Sequence, residues 1–201
     1  MAKASWVKVT PSQGSGDATV NVSSQSEHTG RVARTSVLTW KAANVADIQR
    51  TINQAGKPEF VDIADAASAD KAGKVVTISG VSNSKKLTFS FGIGDLTEIV
   101  LPFTYFANSV STINGENISG DPGASAEYTF SISINVPAND EITAKTRQVI
   151  VTDEAGNRDI CTLTSAAGDA YVTIAEGDIE LDYLGTPVAV EVKSNTTWTI
   201  E

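Results

Sequence analysis

Two stretches of this chain repeat one pattern at a fixed spacing. AGKVVTISGVSN (Ala72 to Asn83) and LGTPVAVEVKSN (Leu184 to Asn195) each run from a glycine through a strand-like segment to Ser-Asn, and their asparagines stand 112 residues apart. A second match covers the other half of the unit: RTSVLT (Arg34 to Thr39) lies over RQVIVT (Arg147 to Thr152) at a spacing of 113, and IQRTINQAG (Ile48 to Gly56) over ICTLTSAAG (Ile160 to Gly168) at 112. An aromatic strand follows each, FVDI (Phe60 to Ile63) and YVTI (Tyr171 to Ile174). A chain with such periodicity is built from similar units. The order here is half, whole, half: residues 1–56 carry the second half of a unit, 57–170 a complete one, and 171–201 the first half.

The units are made of strands. In EYTFSISINV (Glu127 to Val136), Tyr128, Phe130, Ile132, Ile134 and Val136 fall on one face and Thr129, Ser131, Ser133 and Asn135 on the other, the period of a half-buried strand. Weaker alternation recurs at Trp6–Val9, Ala18–Val22, Ser36–Trp40, Ile48–Asn53, Lys74–Ser79, Lys86–Phe91, Gln148–Thr152, Arg158–Leu163, Tyr171–Ile174 and Val188–Val192. Turn clusters such as PSQGSGD, SGDPGAS, PAND and DEAGN separate these segments. KAANVADIQR (Lys41 to Arg50) and ADAASADKAG (Ala64 to Gly73) lack an apolar stripe and read as loops or single turns. The expected fold is therefore all-β, with tandem immunoglobulin-like sandwiches, one whole and one split between the two terminal segments.

Joined across the chain ends, SNTTWTIE followed by SWVKVTPSQGSGDATVNV reads as one continuous domain. These motifs, with the arginine before a strand in RVARTSVLT and the closing INQAG, resemble the BACON domain (Bacteroidetes-associated carbohydrate-binding often N-terminal), an immunoglobulin-like β-sandwich. The likeness covers both terminal segments. The central unit departs from it, with Leu87 and Phe89 where a tryptophan would be expected and a long segment from Ile93 to Gly123. The resemblance implies one of two settings. One is a virion protein of crAss-like or related phages of Bacteroidetes, an auxiliary capsid, decoration or head-fibre component. The other is a carbohydrate-binding or adhesion module of a secreted Bacteroidetes protein. MAKASWVKVTPSQGSG has no apolar run of the kind a secretory signal needs, which favours the virion over the cell surface.

Each half unit exposes strand edges and an apolar face that need covering. Two closures are open. The linkers KPE and GDA are too short to carry either half around the central unit, which favours one copy's C-terminal half meeting the next copy's N-terminal half; closure within one chain is the alternative. The residues expected at such a seam are Trp6, Val7, Val9, Val188, Val190, Val192, Asn195, Trp198 and Ile200, with Trp6 and Trp198 packing together in the completed core. In the carbohydrate-binding reading, Trp6, Trp40 and Trp198 instead stack on sugar rings. The expected partners are the chain itself, head to tail, other capsid proteins, or a glycan.

Other chemistry finds little footing. A net charge of -9 with no basic run argues against nucleic acid, and no segment approaches the roughly 18 apolar residues of a membrane span. No catalytic set emerges, so the chain reads as a non-enzyme without cofactor or metal. The single histidine, His28, reads as a solvated loop residue, and the single cysteine, Cys161, as a small buried hydrophobe on a strand. Asp121, Asp153, Glu154 and Asp159 lie in or beside turns, where Asp commonly bonds its own backbone; calcium at GDPG or TDEAGN is the alternative.

Overall fold

The alternating segments form fifteen strands in a computed structural model that describes residues 3–201. The protein is all-β, a sandwich-like arrangement of several sheets with no closed barrel among the described residues. The N-terminal segment contributes two antiparallel pairs, β1 (Val7–Thr10) with β2 (Asn21–Ser24) and β3 (Arg34–Ala42) with β4 (Val45–Gln54).

The central segment carries β5 (Val61–Ile63), β6 (Ala66–Ala69), β7 (Lys74–Ser82), β8 (Leu87–Gly94), β9 (Thr104–Ala107), β10 (Val110–Ile113), β11 (Tyr128–Val136), β12 (Lys145–Asp153) and β13 (Arg158–Ser165). They form two sheets, a five-stranded one in the order β10-β9-β11-β7-β5 and a four-stranded one in the order β6-β13-β12-β8. The inward residues of β11 and β7 face those of β8, β12 and β13, and Phe89 packs against Tyr105 and Phe130 at ring-centroid separations of 5.2 and 5.8 Å. The main buried apolar cluster lies wholly between Ile63 and Leu163. Cys161 is fully buried within it, on β13, and burial raises its thiol pKa to about 11.

The C-terminal segment supplies β14 (Val172–Ile174) and β15 (Val192–Ser194), antiparallel to each other. Here the strand expected at Val188–Val192 is shortened. Val192 pairs with Ile174, but Val188 and Val190 precede β15 unpaired and are 49% and 40% exposed.

Several expectations need correcting. Lys41 to Arg50 is the tip of the β3–β4 hairpin with Asn44 in the left-handed region, not a loop. Ala64 to Gly73 contains β6, which pairs in parallel with β13. Its alternation is too short and Ala-rich to stand out, and pairing with β13 supplies what propensity does not. The segment from Ile93 to Gly123 holds the β9–β10 hairpin. His28 is buried, not solvated, its Nε2 lying 2.7 Å from the Val32 carbonyl oxygen.

The repeat survives in three dimensions with two shifts. β14–β15 reproduces the β5–β7 register: Val172 faces Ser194 as Val61 faces Ser82, and Ile174 faces Val192 as Ile63 faces Gly80. In the N-terminal half, Arg34 faces Gln54 as Lys145 faces Ser165, so β3 corresponds to β12 at a spacing of 111 rather than the 113 read from the strand residues, and β4 to β13 at 111 rather than 112, a one-residue slip that exchanges the faces of the β4 alignment. For β3, a shift of two residues keeps every side chain on its face, so alternation alone does not distinguish its two alignments. The loop entering each hairpin does. Lys57 N–H donates to Gly30 as Gly168 N–H donates to Glu141, and buried His28 and Asn139 each reach the carbonyl four residues on, Val32 and Thr143.

Candidate assembly interface

Two asparagines hold the segments together. Asn83 follows β7 and is fully buried. Its Oδ1 accepts from Phe60 N–H at 3.1 Å, and its amide nitrogen lies 3.2, 3.3 and 3.2 Å from the carbonyl oxygens of Thr29, Lys57 and Pro58. Ser82 Oγ donates to the Phe60 carbonyl at 2.7 Å and accepts from Ser84 N–H at 3.0 Å. One Ser-Asn turn thus pins the end of the N-terminal segment, the linker and the first strand of the central unit.

Asn195 repeats the arrangement at the next junction. Its Oδ1 accepts from Tyr171 N–H at 3.0 Å, and its amide donates to the carbonyls of Asp140 and Asp169, both at 2.8 Å. Ser194 Oγ donates to the Tyr171 carbonyl and accepts from Thr196 N–H. Thr29 and Asp140, Pro58 and Asp169, and Phe60 and Tyr171 are each 111 residues apart.

The first junction has a further lock. Arg31 and Val32 donate backbone N–H groups to Gly123 and Ala124, at 2.9 and 3.0 Å. The Arg31 guanidinium makes a bidentate pair with Asp121, also donates to the Asn83 carbonyl at 3.0 Å, and has its Nε 3.5 Å from Glu59. The hydrogen bond to Asp121 raises the guanidinium pKa, while burial raises that of Glu59. The approach is close enough that a Cβ at Gly123 would overlap the Asn83 carbonyl, and one at Gly30 the Ser125 backbone. The Ser-Asn repeat carried the signal for both hubs. Nothing in the spacing of Arg31 and Asp121, 90 residues apart, marks them as partners.

The expected seam residues divide unevenly. Val7 is fully buried and Val9 half-buried on β1, and Trp6 lies under the Arg34 guanidinium, 4.7 Å from ring centroid to Cζ. One face of the Trp6 ring is thus covered by its own segment. Val192 and Asn195 are half-buried by β14 and the junction, whereas Val188, Val190, Trp198 and Ile200 stay exposed, Ile200 at 83%. Trp40 and Val22 are exposed in the N-terminal segment. Among the described residues, no strand pairing joins residues 3–56 to 171–201, so each segment presents an apolar face with no partner in its own chain.

The acidic turns carry hydrogen bonds rather than an open oxygen cage. Asp153 accepts from the backbone and side-chain N–H groups of Asn157, Asp159 from Ile63 N–H, and Asp121 from Arg31. Among the described residues no group of three or more His, Cys, Asp or Glu side chains is placed to hold a metal ion, and no helix is long and apolar enough to cross a membrane.

No family model matches the chain, and no curated protein matches it. A solved structure that it resembles is the NMR structure of a protein from Bacteroides thetaiotaomicron, at 10% identity over 52% of this chain and 77% of that one, with a TM-score of 0.28. A superposition this loose informs neither fold nor function.

Proposed function

We propose that this chain is a non-enzymatic structural protein whose copies join head to tail, the C-terminal segment of one completing the half-sandwich of the next, and that it serves as an auxiliary capsid, decoration or head-fibre component of a phage virion. The observation that carries the assembly reading is the pairing of a reproduced register with an unfilled face. β14–β15 copies β5–β7, and β3–β4 copies β12–β13. The strands that join these pairs into a sandwich in the central unit lie at opposite ends of the chain. Their apolar residues, Val22, Trp40, Val188, Val190, Trp198 and Ile200, are all exposed. The virion setting rests on the resemblance of the terminal motifs to modules of Bacteroidetes phages.

Light scattering coupled to size-exclusion chromatography tests the assembly. The full chain runs as a concentration-dependent oligomer, and a variant lacking residues 171–201 runs as a monomer that retains the β-sheet circular dichroism of the central unit. A full chain that is monomeric at every concentration overturns the reading.

One observation favours the glycan-binding alternative. Phe106, 51% exposed, lies in a shallow concavity with Ser79, Thr129, Ser131 and Asn108, an aromatic face ringed by hydroxyls and an amide. Affinity electrophoresis in polysaccharide gels, comparing the chain with Phe106→Ala and Trp40→Ala, decides it: retardation lost on either substitution supports glycan contact.

A further inference from the structure

Resting on the head-to-tail reading, we infer that the joint between copies forms in a single strand register set by the central unit. In that unit β11 pairs with β7 so that Ile134 faces Val76 and Ile132 faces Ile78. β15 fixes the donor side: Val192 occupies the place of Gly80 and Ser194 that of Ser82, so Val188 and Val190 occupy those of Val76 and Ile78. The acceptor side follows from β2. His28 stands for Asn139 at a spacing of 111; matching the apolar alternation of β2 to that of β11 places one extra residue between Ser24 and His28, so that Val22 stands for Ile134 and Val20 for Ile132, on the face that Val9 and the buried Val7 share across β1. Val22 of one copy therefore faces Val188 of the next, and Val20 faces Val190.

The second sheet gives an independent fix. Val151 faces Phe89, and Asp153 faces Leu87, across β12 and β8. β3 follows β12 at a spacing of 111, which puts Trp40 in the place of Val151. Beyond Asn195 the apolar alternation of Trp198 and Ile200 matches Leu87 and Phe89 at the same spacing. Trp40 thus faces Ile200, with Trp198 one pair along at Ala42. These three large apolar side chains, exposed by 40%, 83% and 47%, become neighbours inside one core. Both sheets reach this register with no change in either segment's own pairing. The occupant is a second copy because its C-terminal segment already holds the first-strand pair and the Ser-Asn turn in the geometry the half-sandwich lacks.

Cysteine cross-linking reads the register directly. Single variants of the full chain are mixed, refolded together from urea and mildly oxidised; Cys161 stays out of reach in the folded core. V22C with V188C, and V20C with V190C, give a dimer on a non-reducing gel, because facing Cα atoms lie within the span of a disulfide. V22C with V192C does not, since four residues along a strand are about 13 Å. None of these variants cross-links with itself, as the contact is heterologous. Linkage of V22C to V192C but not to V188C overturns the register and leaves head-to-tail joining intact. A double V22C/V188C chain that links only within itself, migrating as a compact monomer, overturns the head-to-tail reading instead, and so does the absence of any linkage in a monomeric chain.

Discussion

Replacing Asn83 by alanine removes the buried hub of the first junction, and its cost follows from the hydrogen bonds lost. The side chain is fully buried and lies within hydrogen-bond distance of three carbonyls and one N–H. Its amide has two hydrogens, so at least two of those carbonyls lose a donor and Phe60 N–H loses its acceptor. A buried polar group left unpaired costs ~1–3 kcal/mol. Thr29 and Lys57 lie near the surface and relax toward water, so we expect a total of about 3 kcal/mol rather than the full sum. For a domain of about 100 residues this lowers the melting temperature by ~12–24 °C, from ~4–8 °C per kcal/mol. The assay is urea unfolding followed by circular dichroism, with Asn195→Ala as the matched comparison. Asn195 is only half-buried and holds a single short strand pair, so its loss shifts the same transition by less than ~1 kcal/mol. An Asn83→Ala chain destabilised by under ~1 kcal/mol, or the two variants losing equal stability, refutes the reasoning.

Ile132→Ala, at the centre of β11 and 1% exposed, lowers stability by ~2–5 kcal/mol in the same urea assay. Arg31→Lys keeps the charge but not the bidentate geometry with Asp121; hydrogen exchange at Arg31 and Val32 then rises, while protection of β11 and β12 amides is unchanged. Cys161, whose folded thiol pKa burial raises to about 11, carries no thiolate near pH 8, so a thiol reagent labels it only after denaturation; rapid stoichiometric labelling of the folded chain contradicts its place in the core.

Much of the fold was legible because alternation writes burial into sequence. EYTFSISINV names the inward residues of β11 without error, and the recurring Ser-Asn turn marked both hubs before any geometry was known. What stayed hidden depended on contacts between distant residues. β6 is Ala-rich and exists through its parallel pairing with β13, and His28 is enclosed by a loop that only the hairpin register defines. The Arg31–Asp121 pair links a loop before β3 to a left-handed residue after β10, and no local pattern records it. The two-residue error in aligning β3 has the same root: alternation reports the face of a strand, whereas register is set by turns and loops.

That distinction bears on why the terminal segments stay open. A strand pair needs only one neighbour, and β3–β4 and β14–β15 each have one. A sandwich needs a second layer, and burial follows the layer rather than the pair. β4 is a ten-residue strand, paired with β3 along most of its length, yet nearly every residue along it is exposed, whereas its counterpart β13 alternates between buried and open positions. The difference lies in what covers them: β13 has β6 along its edge and the five-stranded sheet across the core, and β4 has neither within the chain. The β3–β4 ladder is thus largely satisfied within its own segment while its hydrophobic burial is not, whereas the stretch before β15 lacks both; joining as proposed would supply apolar contact to the first and a strand partner to the second. In the head-to-tail assembly we propose, the donor and acceptor faces are different surfaces at opposite ends of one chain, so the contact would be heterologous and a joined pair would still offer one free face of each kind. On that proposal growth would run on as a filament unless a ring closes, with the two Ser-Asn hubs giving the step from split to whole domain the same local geometry as the step from whole to split.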